Sequence, residues 1–202
     1  TDTTWMVFSN MTVSAFAVYA IDLCWEYALL KIVSMPQISY FSIVFLFYAL
    51  TNLTAYLWFI FAETLQASPL VDTQNKRMLF ALPLLLSIVL ALFSYETKWL
   101  FYVDGAGDFH RGKLFFLQLF LIFGYLIFAS FAALLRGIER KNYVNRGKFL
   151  TLGIFSTFSV IFGFLQVLLP GMPVFTAGVT LGILFVFFFF QEQLISTDPL
   201  TH

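Results

Sequence analysis

The chain has 202 residues, of which 60% are hydrophobic, 20% aromatic and only 11% charged, and its formal net charge is zero. Soluble domains are about 45–50% apolar and about 25% charged, so one soluble core of this size cannot hold the excess of apolar side chains. The zero net charge argues against a nucleic-acid partner. The single cysteine, Cys24, provides neither a disulfide nor a cysteine metal cluster. We therefore expect the lipid bilayer to be the main partner of the surface.

Six stretches of the chain are apolar over the roughly 20 residues that a membrane-spanning helix needs. Alternation with a period of two, which is typical of membrane β-barrels, is absent from them. Because backbone groups in lipid must be satisfied within the segment, these stretches predict an all-α membrane protein with a bundle of six transmembrane helices. The predicted spans comprise residues 5–31, 40–62, 78–95, 113–135, 149–169 and 172–190.

The first predicted span carries an acidic pair. Asp22 and Glu26 are one helical turn apart and therefore lie on the same face of the helix. An acidic side chain at the centre of a span costs roughly 2.5–3.5 kcal/mol. Either both side chains reach headgroup water, or both face a polar cavity that opens to the outside, with Trp25 near its rim. The second alternative makes these three residues candidates for ligand binding.

The next two spans carry features that concern packing. Asn52, in the middle of the second span, is expected to form a hydrogen bond between helices. Pro83 is expected to kink the third span or to lie in its first turns, because proline lacks the backbone N–H that a helix interior requires.

The connection between the third and fourth spans is the longest external segment. LFYV and DFH flank the turn sequence DGAG, which predicts a short external hairpin that covers the cavity. The alternative is that its polar residues only form the turn and anchor the chain at the membrane interface. The segment has too few oxygen ligands for a calcium loop, so no metal site is predicted. Its candidate ligand-binding residues are Trp99, Tyr102, Asp108, His110 and Arg111.

Two glutamines extend this candidate site. Gln118 in the fourth span and Gln166 in the fifth lie at the same predicted depth as the acidic pair. Polar side chains inside spans most often form hydrogen bonds between helices, and these two are weaker candidates for the cavity.

Small residues spaced four apart predict close helix packing in the last two spans. Ser159 and Gly163 form such a pair in the fifth span, and Gly178 and Gly182 form a GxxxG pair in the sixth. Packing within the chain is the first interpretation, and a dimer seam along the sixth span is the alternative.

Lys and Arg distribute unevenly between the two ends of the predicted bundle. The loop between the fourth and fifth spans carries five of them and dominates one end. Because cytoplasmic loops are enriched in Lys and Arg, we place this loop and both termini in the cytoplasm. The residues at this end are Lys76, Arg77, Arg136, Arg140, Lys141, Arg146 and Lys148, and those at the other end are Lys31, Lys98, Arg111 and Lys113.

Catalytic signatures are missing from the sequence. The two histidines, His110 and His202, form neither a paired haem site nor an HExxH motif. GxSxG, P-loop and Rossmann fingerprints are also absent. We therefore predict no catalytic residue and no cofactor for this segment.

The last twelve residues, QEQLISTDPLTH, follow the sixth span directly on the predicted cytoplasmic side. Asp198, Pro199, Leu200 and Thr201 match the first four positions of D-x-L-T-G-L-x-N-R, and His202 stands where glycine is commonest. This segment resembles the start of the catalytic domain in the GGDEF family of bacterial diguanylate cyclases. The resemblance implies a transmembrane sensor bundle over residues 1–190. Residues 191–202 would be a cytoplasmic linker and the first residues of a GGDEF-like output domain.

The same resemblance implies a function in the bacterial inner membrane. The bundle would bind an extracellular small molecule and control a C-terminal cytoplasmic diguanylate cyclase that makes cyclic di-GMP. GTP and Mg²⁺ would bind in that domain, whose catalytic residues would lie beyond His202. Such domains act in pairs, which implies a homodimer through the last span. Many sensors of this layout have seven spans, which would place one more helix before Thr1.

Three alternatives remain at this point. The bundle would also suit the sensor region of a histidine kinase, or a small transporter or channel that uses Asp22 and Glu26 as proton or cation sites. A structural anchor without a ligand is the third. An external cavity closed on its inner side favours the sensor, a through-path favours transport, and tight apolar packing favours the anchor.

Overall fold

The computed structural model describes residues 2–32, 35–169 and 174–196. The start of the sixth predicted span and the segment 197–202, which carries the GGDEF resemblance, lie outside the described residues. In chain order the elements are α1 (Asp2–Leu29), α2 (Gln37–Leu65), α3 (Gln74–Phe80), α4 (Leu82–Thr97), β1 (Phe101–Val103), β2 (Phe109–Arg111), α5 (Phe115–Ile138), a 3-10 helix (Arg140–Asn145), α6 (Arg146–Leu168) and α7 (Val174–Ser196).

Over the residues that the structure describes, five helical segments are long and apolar enough to cross a membrane, which suggests a multi-pass membrane protein. The apolar part of the last helix, Val174–Phe189, is shorter over the described residues. The all-α class predicted from the sequence agrees with this architecture, and five of the six predicted spans correspond to such helices. These segments are Thr4–Leu29, Gln37–Leu65, Gln74–Thr97, Phe115–Ile138 and Arg146–Leu168.

The helix α2 lies at the centre of the bundle and packs on α1, α4 and α5. Next to it, α5 pairs with α6, and α7 packs between α6 and α1. Large apolar side chains remain exposed on the outward faces of these helices, such as Phe16, Leu92, Phe116 and Phe158, each more than half exposed. Exposed apolar surface of this extent is what contact with lipid requires.

The third span is broken by one residue, Ala81, between α3 and α4. Pro83 lies in the first turn of α4, as its sequence indicates. The hydroxyl of Tyr125 on α5 is inserted at the break: it donates to the Phe80 carbonyl at 2.6 Å and accepts from the Leu84 N–H at 3.2 Å. In a continuous helix these two backbone groups would bond to each other. Tyr125 therefore satisfies the groups that the break releases and fixes the third span to α5.

The strands β1 and β2 pair antiparallel, with Tyr102 opposite His110. The Ser94 hydroxyl at the end of α4 accepts the backbone N–H groups of Leu100 at 2.7 Å and Phe101 at 3.3 Å, which fixes the entry into β1. The turn contains Gly107 at φ +79°, a left-handed conformation that favours glycine. The hairpin is therefore held against the bundle by the backbone hydrogen bonds to Ser94 and by the buried side chain of Phe101.

A buried ion pair joins α2 and α5 at the end opposite the hairpin. Arg136 donates from its two terminal nitrogens to the two carboxylate oxygens of Glu63, at 3.2 and 3.0 Å. It also donates to Gln66 Oε1 at 2.9 Å and to Ser68 Oγ at 3.1 Å. Glu63 is fully buried and Arg136 is 23% exposed. From the sequence, Arg136 is predicted only to lie in a charged cytoplasmic loop, and no role is predicted for Glu63. The ion pair is therefore evident only in the structure.

Polar side chains inside the spans join helices at other positions than expected. Asn52 donates its amide to the Tyr48 carbonyl of its own helix at 2.9 Å, so the predicted bond between helices is not the one that forms. Bonds between helices instead join Ser14 to Thr54 at 2.8 Å and Trp58 to Ser156 at 2.7 Å.

The glycines of α7 face α6 within the same chain. A Cβ atom at Gly178 would lie 2.6 Å from the Phe162 ring, and one at Gly182 would overlap the Phe155 ring. In α6, Ser159 bonds to the Phe155 carbonyl, and Gly163 contacts the Phe123 ring of α5. The GxxxG pair therefore serves packing within the chain, and its face of α7 is not free to form a dimer seam.

Candidate ligand cavity

A cavity of about 460 Å³ lies between the helices at the end of the bundle that carries the hairpin. Its volume falls in the range of roughly 300–1,000 Å³ that small-molecule sites occupy. The helices α1, α2, α5, α6 and α7 and the strand β2 all contribute to its wall. Five of the residues that the sequence indicated lie at this cavity: Trp25, Glu26, His110, Arg111 and Gln166.

One wall of the cavity is aromatic and centres on Trp25. Its ring centroid lies 4.7 Å from that of Phe47, 5.3 Å from Phe109 and 6.3 Å from Tyr48. All four rings line the cavity. The first helix, the second helix and the hairpin therefore meet in a single aromatic cluster beside Glu26.

The two acids of α1 have different surroundings. Asp22 is fully buried and does not line the cavity, and its Oδ2 accepts a hydrogen bond from the Thr176 hydroxyl of α7. Glu26 lines the cavity and is partly exposed, and its Oε2 has no hydrogen-bond partner among the described residues. Asp22 therefore connects helices, whereas Glu26 offers an acceptor to a ligand.

Gln166 of α6 connects the cavity to the start of α7. Its Oε1 accepts the backbone N–H of Phe175 at 2.7 Å, and its side chain lies beside Asp22. Phe175 also lines the cavity. The first turn of α7 is thus held by two polar contacts, one from α6 and one from α1.

The two basic residues at the cavity already have partners. His110 Nε2 lies 2.9 Å from Asp104 Oδ2, and the side chain of His110 is 43% exposed. Arg111 is exposed, donates to the Val167 carbonyl at 3.0 Å and packs over the Phe115 ring at 4.8 Å. Both side chains therefore lie on the solvent side of the cavity.

Asp104 organises the hairpin turn beside this rim. Its Oδ1 accepts the backbone N–H groups of Ala106 and Asp108, both at 2.9 Å. The bond from Asp108, followed by the contact with His110, holds the pKa of Asp104 below its usual value. Asp108 itself forms an ion pair with Lys31 at 2.8 Å, and this bond raises the pKa of Lys31.

Besides Asp22, four further predicted site residues do not line the cavity. Trp99 is 46% exposed, and Asp108 is held by Lys31 on the surface. Tyr102 stacks on His110 at 4.9 Å, on the face of the hairpin opposite the core. Gln118 is fully buried, and its Oε1 accepts from Ser87 of α4 at 2.9 Å. Gln118 therefore contacts α4 and lies outside the wall of this cavity.

Most of the aromatic lining was not among the predicted site residues. Phe47, Tyr48, Phe109, Phe115 and Phe175 all face the cavity. The chain contains 28 phenylalanines, so a phenylalanine in a span does not distinguish a cavity wall from a lipid-facing surface.

Below the cavity the packing tightens. A second void shares Thr51 and Phe175 with the cavity wall and has a volume of only about 20 Å³. That is room for about one water molecule. Among the described residues, no group of three or more His, Cys, Asp or Glu side chains is placed to hold a metal ion.

Comparison of the chain with family models, curated proteins and solved structures finds no match.

Proposed function

We propose that the chain is the membrane-embedded input region of a receptor, which binds a small molecule at the hairpin end and signals through α7. The observation that carries this proposal is the position of Phe175. It lines the cavity in the first turn of α7, and the same helix continues to Ser196 at the other end of the bundle. A ligand in contact with Phe175 is therefore in contact with the helix that leads to the C-terminus.

The polar contacts at the start of α7 supply a means of coupling. Thr176 bonds to Asp22 of α1, and the Phe175 N–H bonds to Gln166 of α6. A ligand changes an equilibrium only if it binds the two states with different affinity. A ligand in this cavity contacts α1, α6 and α7 at the same time. Any shift of α7 changes the shape of the cavity and therefore the affinity for that ligand.

The narrow region below the cavity favours a receptor over a transporter. A transported molecule would have to pass the void of about 20 Å³ and the packed rings of Trp58 and Phe155, whose centroids are 4.3 Å apart. A receptor needs only the outer cavity. The structural anchor is disfavoured because it requires no cavity of ligand size.

The proposed output of the receptor rests on the resemblance of residues 198–201 to the start of the GGDEF domain. The full-length protein would be a diguanylate cyclase of the bacterial inner membrane, with its C-terminus in the cytoplasm and GTP and Mg²⁺ bound beyond His202. A homodimer through α7 would use the face that flanks the glycines. That face carries four exposed apolar residues at helical spacing, Leu181, Leu184, Phe185 and Phe188.

Ligand binding can be tested by filling the cavity. Leu119 of α5 lines it, whereas Leu117 on the same helix is 38% exposed and lies outside it. Leu119→Trp should abolish thermal stabilisation of the purified protein by compounds that stabilise the wild type, and Leu117→Trp should not. In full-length protein, the same compounds should change cyclic di-GMP synthesis in the Leu117→Trp variant but not in Leu119→Trp. Identical responses of the two variants would remove the cavity from the proposal.

Orientation can be tested with single cysteines in a Cys24→Ser background. Gly105 in the hairpin turn and Gly147 in α6 both have open space where a Cβ atom would lie. In intact cells, a membrane-impermeant maleimide should label Gly105→Cys and leave Gly147→Cys unlabelled until the cells are lysed. The reverse pattern would place the cavity on the cytoplasmic side and contradict an extracellular ligand.

A further inference from the structure

Two oxygen atoms and one nitrogen atom of residues that line the cavity lack a hydrogen-bond partner among the described residues. They are Glu26 Oε2 and Trp25 Nε1 on α1 and Thr51 Oγ1 on α2, all shielded from solvent. A carboxylate oxygen only accepts hydrogen bonds, and a hydroxyl oxygen also accepts them. An unpartnered buried acceptor is costly, so the two oxygen atoms favour a ligand that brings N–H or O–H donors.

The aromatic wall next to Glu26 favours a positive charge on that ligand. Trp25, Phe47, Tyr48 and Phe109 line the cavity, and a cation over such rings gains about 0.5–2 kcal/mol, most over tryptophan. Trp25 precedes Glu26 directly in the sequence. The aromatic rings and the carboxylate therefore attract the same kind of group.

The two basic residues of the cavity, His110 and Arg111, do not offset this preference. His110 is bound to Asp104, and Arg111 is exposed, bound to Val167 and packed over Phe115. An anionic ligand would have to displace these contacts and would approach the Glu26 carboxylate. A cationic ligand needs no such rearrangement.

We infer that the ligand of this cavity is an organic ammonium compound with N–H donors, held by Glu26 and Thr51 and enclosed by the aromatic wall around Trp25. The inference rests on the proposed receptor function and specifies its ligand class. A primary ammonium group supplies three donors, enough for Glu26 Oε2 and Thr51 Oγ1, and its apolar substituent would contact the remaining aromatic lining.

The test uses isothermal titration calorimetry on the chain in lipid nanodiscs. The probes are phenethylamine, its quaternary trimethylated derivative, the neutral phenethyl alcohol and the anionic hydrocinnamate. We expect phenethylamine to bind most tightly, the quaternary derivative next and hydrocinnamate least. Glu26→Gln should weaken phenethylamine binding by about tenfold or more, because a charge-assisted hydrogen bond becomes a neutral one. Thr51→Val, which keeps the volume of the side chain, should weaken the primary amine but not the quaternary derivative.

Matched controls separate the cavity from general charge and surface effects. Glu96 is an exposed carboxyl at the same end of the bundle, outside this cavity, so Glu96→Gln should leave binding unchanged. Phe47→Leu should weaken both ammonium probes, and Phe120→Leu, at a 71% exposed position, should not.

The outcomes distinguish this inference from the receptor proposal. Equal or tighter binding of the alcohol or of hydrocinnamate, or unchanged phenethylamine binding in Glu26→Gln, overturns the ammonium class and leaves the cavity as a ligand site. Failure of both ammonium probes to bind at millimolar concentration also overturns it. The receptor proposal itself fails only if no compound distinguishes Leu119→Trp from Leu117→Trp.

Discussion

Thr176 of α7 donates its hydroxyl to the fully buried carboxylate of Asp22 in α1, across 154 positions of the sequence. The other carboxylate oxygen of Asp22 has no hydrogen-bond partner among the described residues. The Thr176 hydroxyl therefore supplies the donor for one of the two carboxylate oxygens, and this contact fixes the first turn of α7 beside the cavity.

Thr176→Val should destabilise the protein by about 1–3 kcal/mol, because the substitution keeps the shape of the side chain and leaves a buried acceptor without its donor. The matched control is Thr180→Val one turn later, since the Thr180 hydroxyl donates to the Thr176 carbonyl of its own helix. Thermal unfolding in detergent measures both effects. Combining Thr176→Val with Asp22→Leu should recover part of the loss, since neither polar partner then remains. Equal unfolding temperatures for the two threonine variants would contradict a stabilising role for the hydrogen bond between Thr176 and Asp22.

Arg136→Met should destabilise the protein more than Thr176→Val does, by about 3–5 kcal/mol, because it leaves the fully buried Glu63 carboxylate without its counter-ion. Arg140→Met is the control, since Arg140 is exposed near the same end of the bundle. The double variant Glu63→Met/Arg136→Met should be more stable than Arg136→Met alone, because it removes the uncompensated charge. Chemical unfolding in mild detergent measures the order of the three variants. If Arg136→Met unfolds like Arg140→Met, the ion pair does not stabilise α2 against α5.

The parts of the site that the sequence indicated share one property, which is polarity inside an apolar span. Glu26 and Gln166 stand out for this reason, and the structure places both at the cavity. Gln118 has the same polarity and depth but lies against Ser87 of α4. Depth along a helix follows from counting residues, whereas the neighbour that a side chain meets depends on helix rotation and packing. A single sequence does not specify that rotation.

Long-range pairs were beyond sequence reasoning for a related cause. Glu63 lies at the edge of its predicted span and Arg136 just beyond another, so each is explained by headgroup water alone. Tyr125 is similar: Pro83 indicates a disturbed helix, but nothing in the sequence indicates which hydroxyl fills the break. Both contacts depend on the relative positions of two helices, so the partner of either residue does not follow from the sequence alone.

Gly182→Ala should destabilise the bundle by about 1–3 kcal/mol, the usual cost of overpacking. A Cβ atom at this position would overlap the Phe155 ring, which itself packs on Trp58. Gly124→Ala is a matched control, because a Cβ atom there meets nothing within 4 Å. It should be neutral or stabilising by up to about 1 kcal/mol, since alanine favours helix formation. Thermal unfolding of both variants is the measurement, and Phe155→Leu should partly rescue Gly182→Ala. Equal effects of the two glycine substitutions would contradict the close contact of α7 with α6.

The hairpin turn should lose protection at acid pH through Asp104. Its pKa is lowered in the folded protein, chiefly by the hydrogen bond from the Asp108 N–H and then by His110. A group with a lowered folded pKa stabilises above its unfolded pKa, about 3.9 for Asp, and this contribution disappears as the pH falls through the folded value. Hydrogen exchange of the Ala106 and Asp108 amides, corrected for intrinsic rates, should therefore show turn opening that increases below about pH 4. Asp104→Asn should remove this dependence, because an amide oxygen accepts the same backbone bonds without titrating, whereas Glu96→Gln should retain it. A pH dependence that persists unchanged in Asp104→Asn would assign it to another carboxyl, with the Asp108–Lys31 pair as the next to substitute.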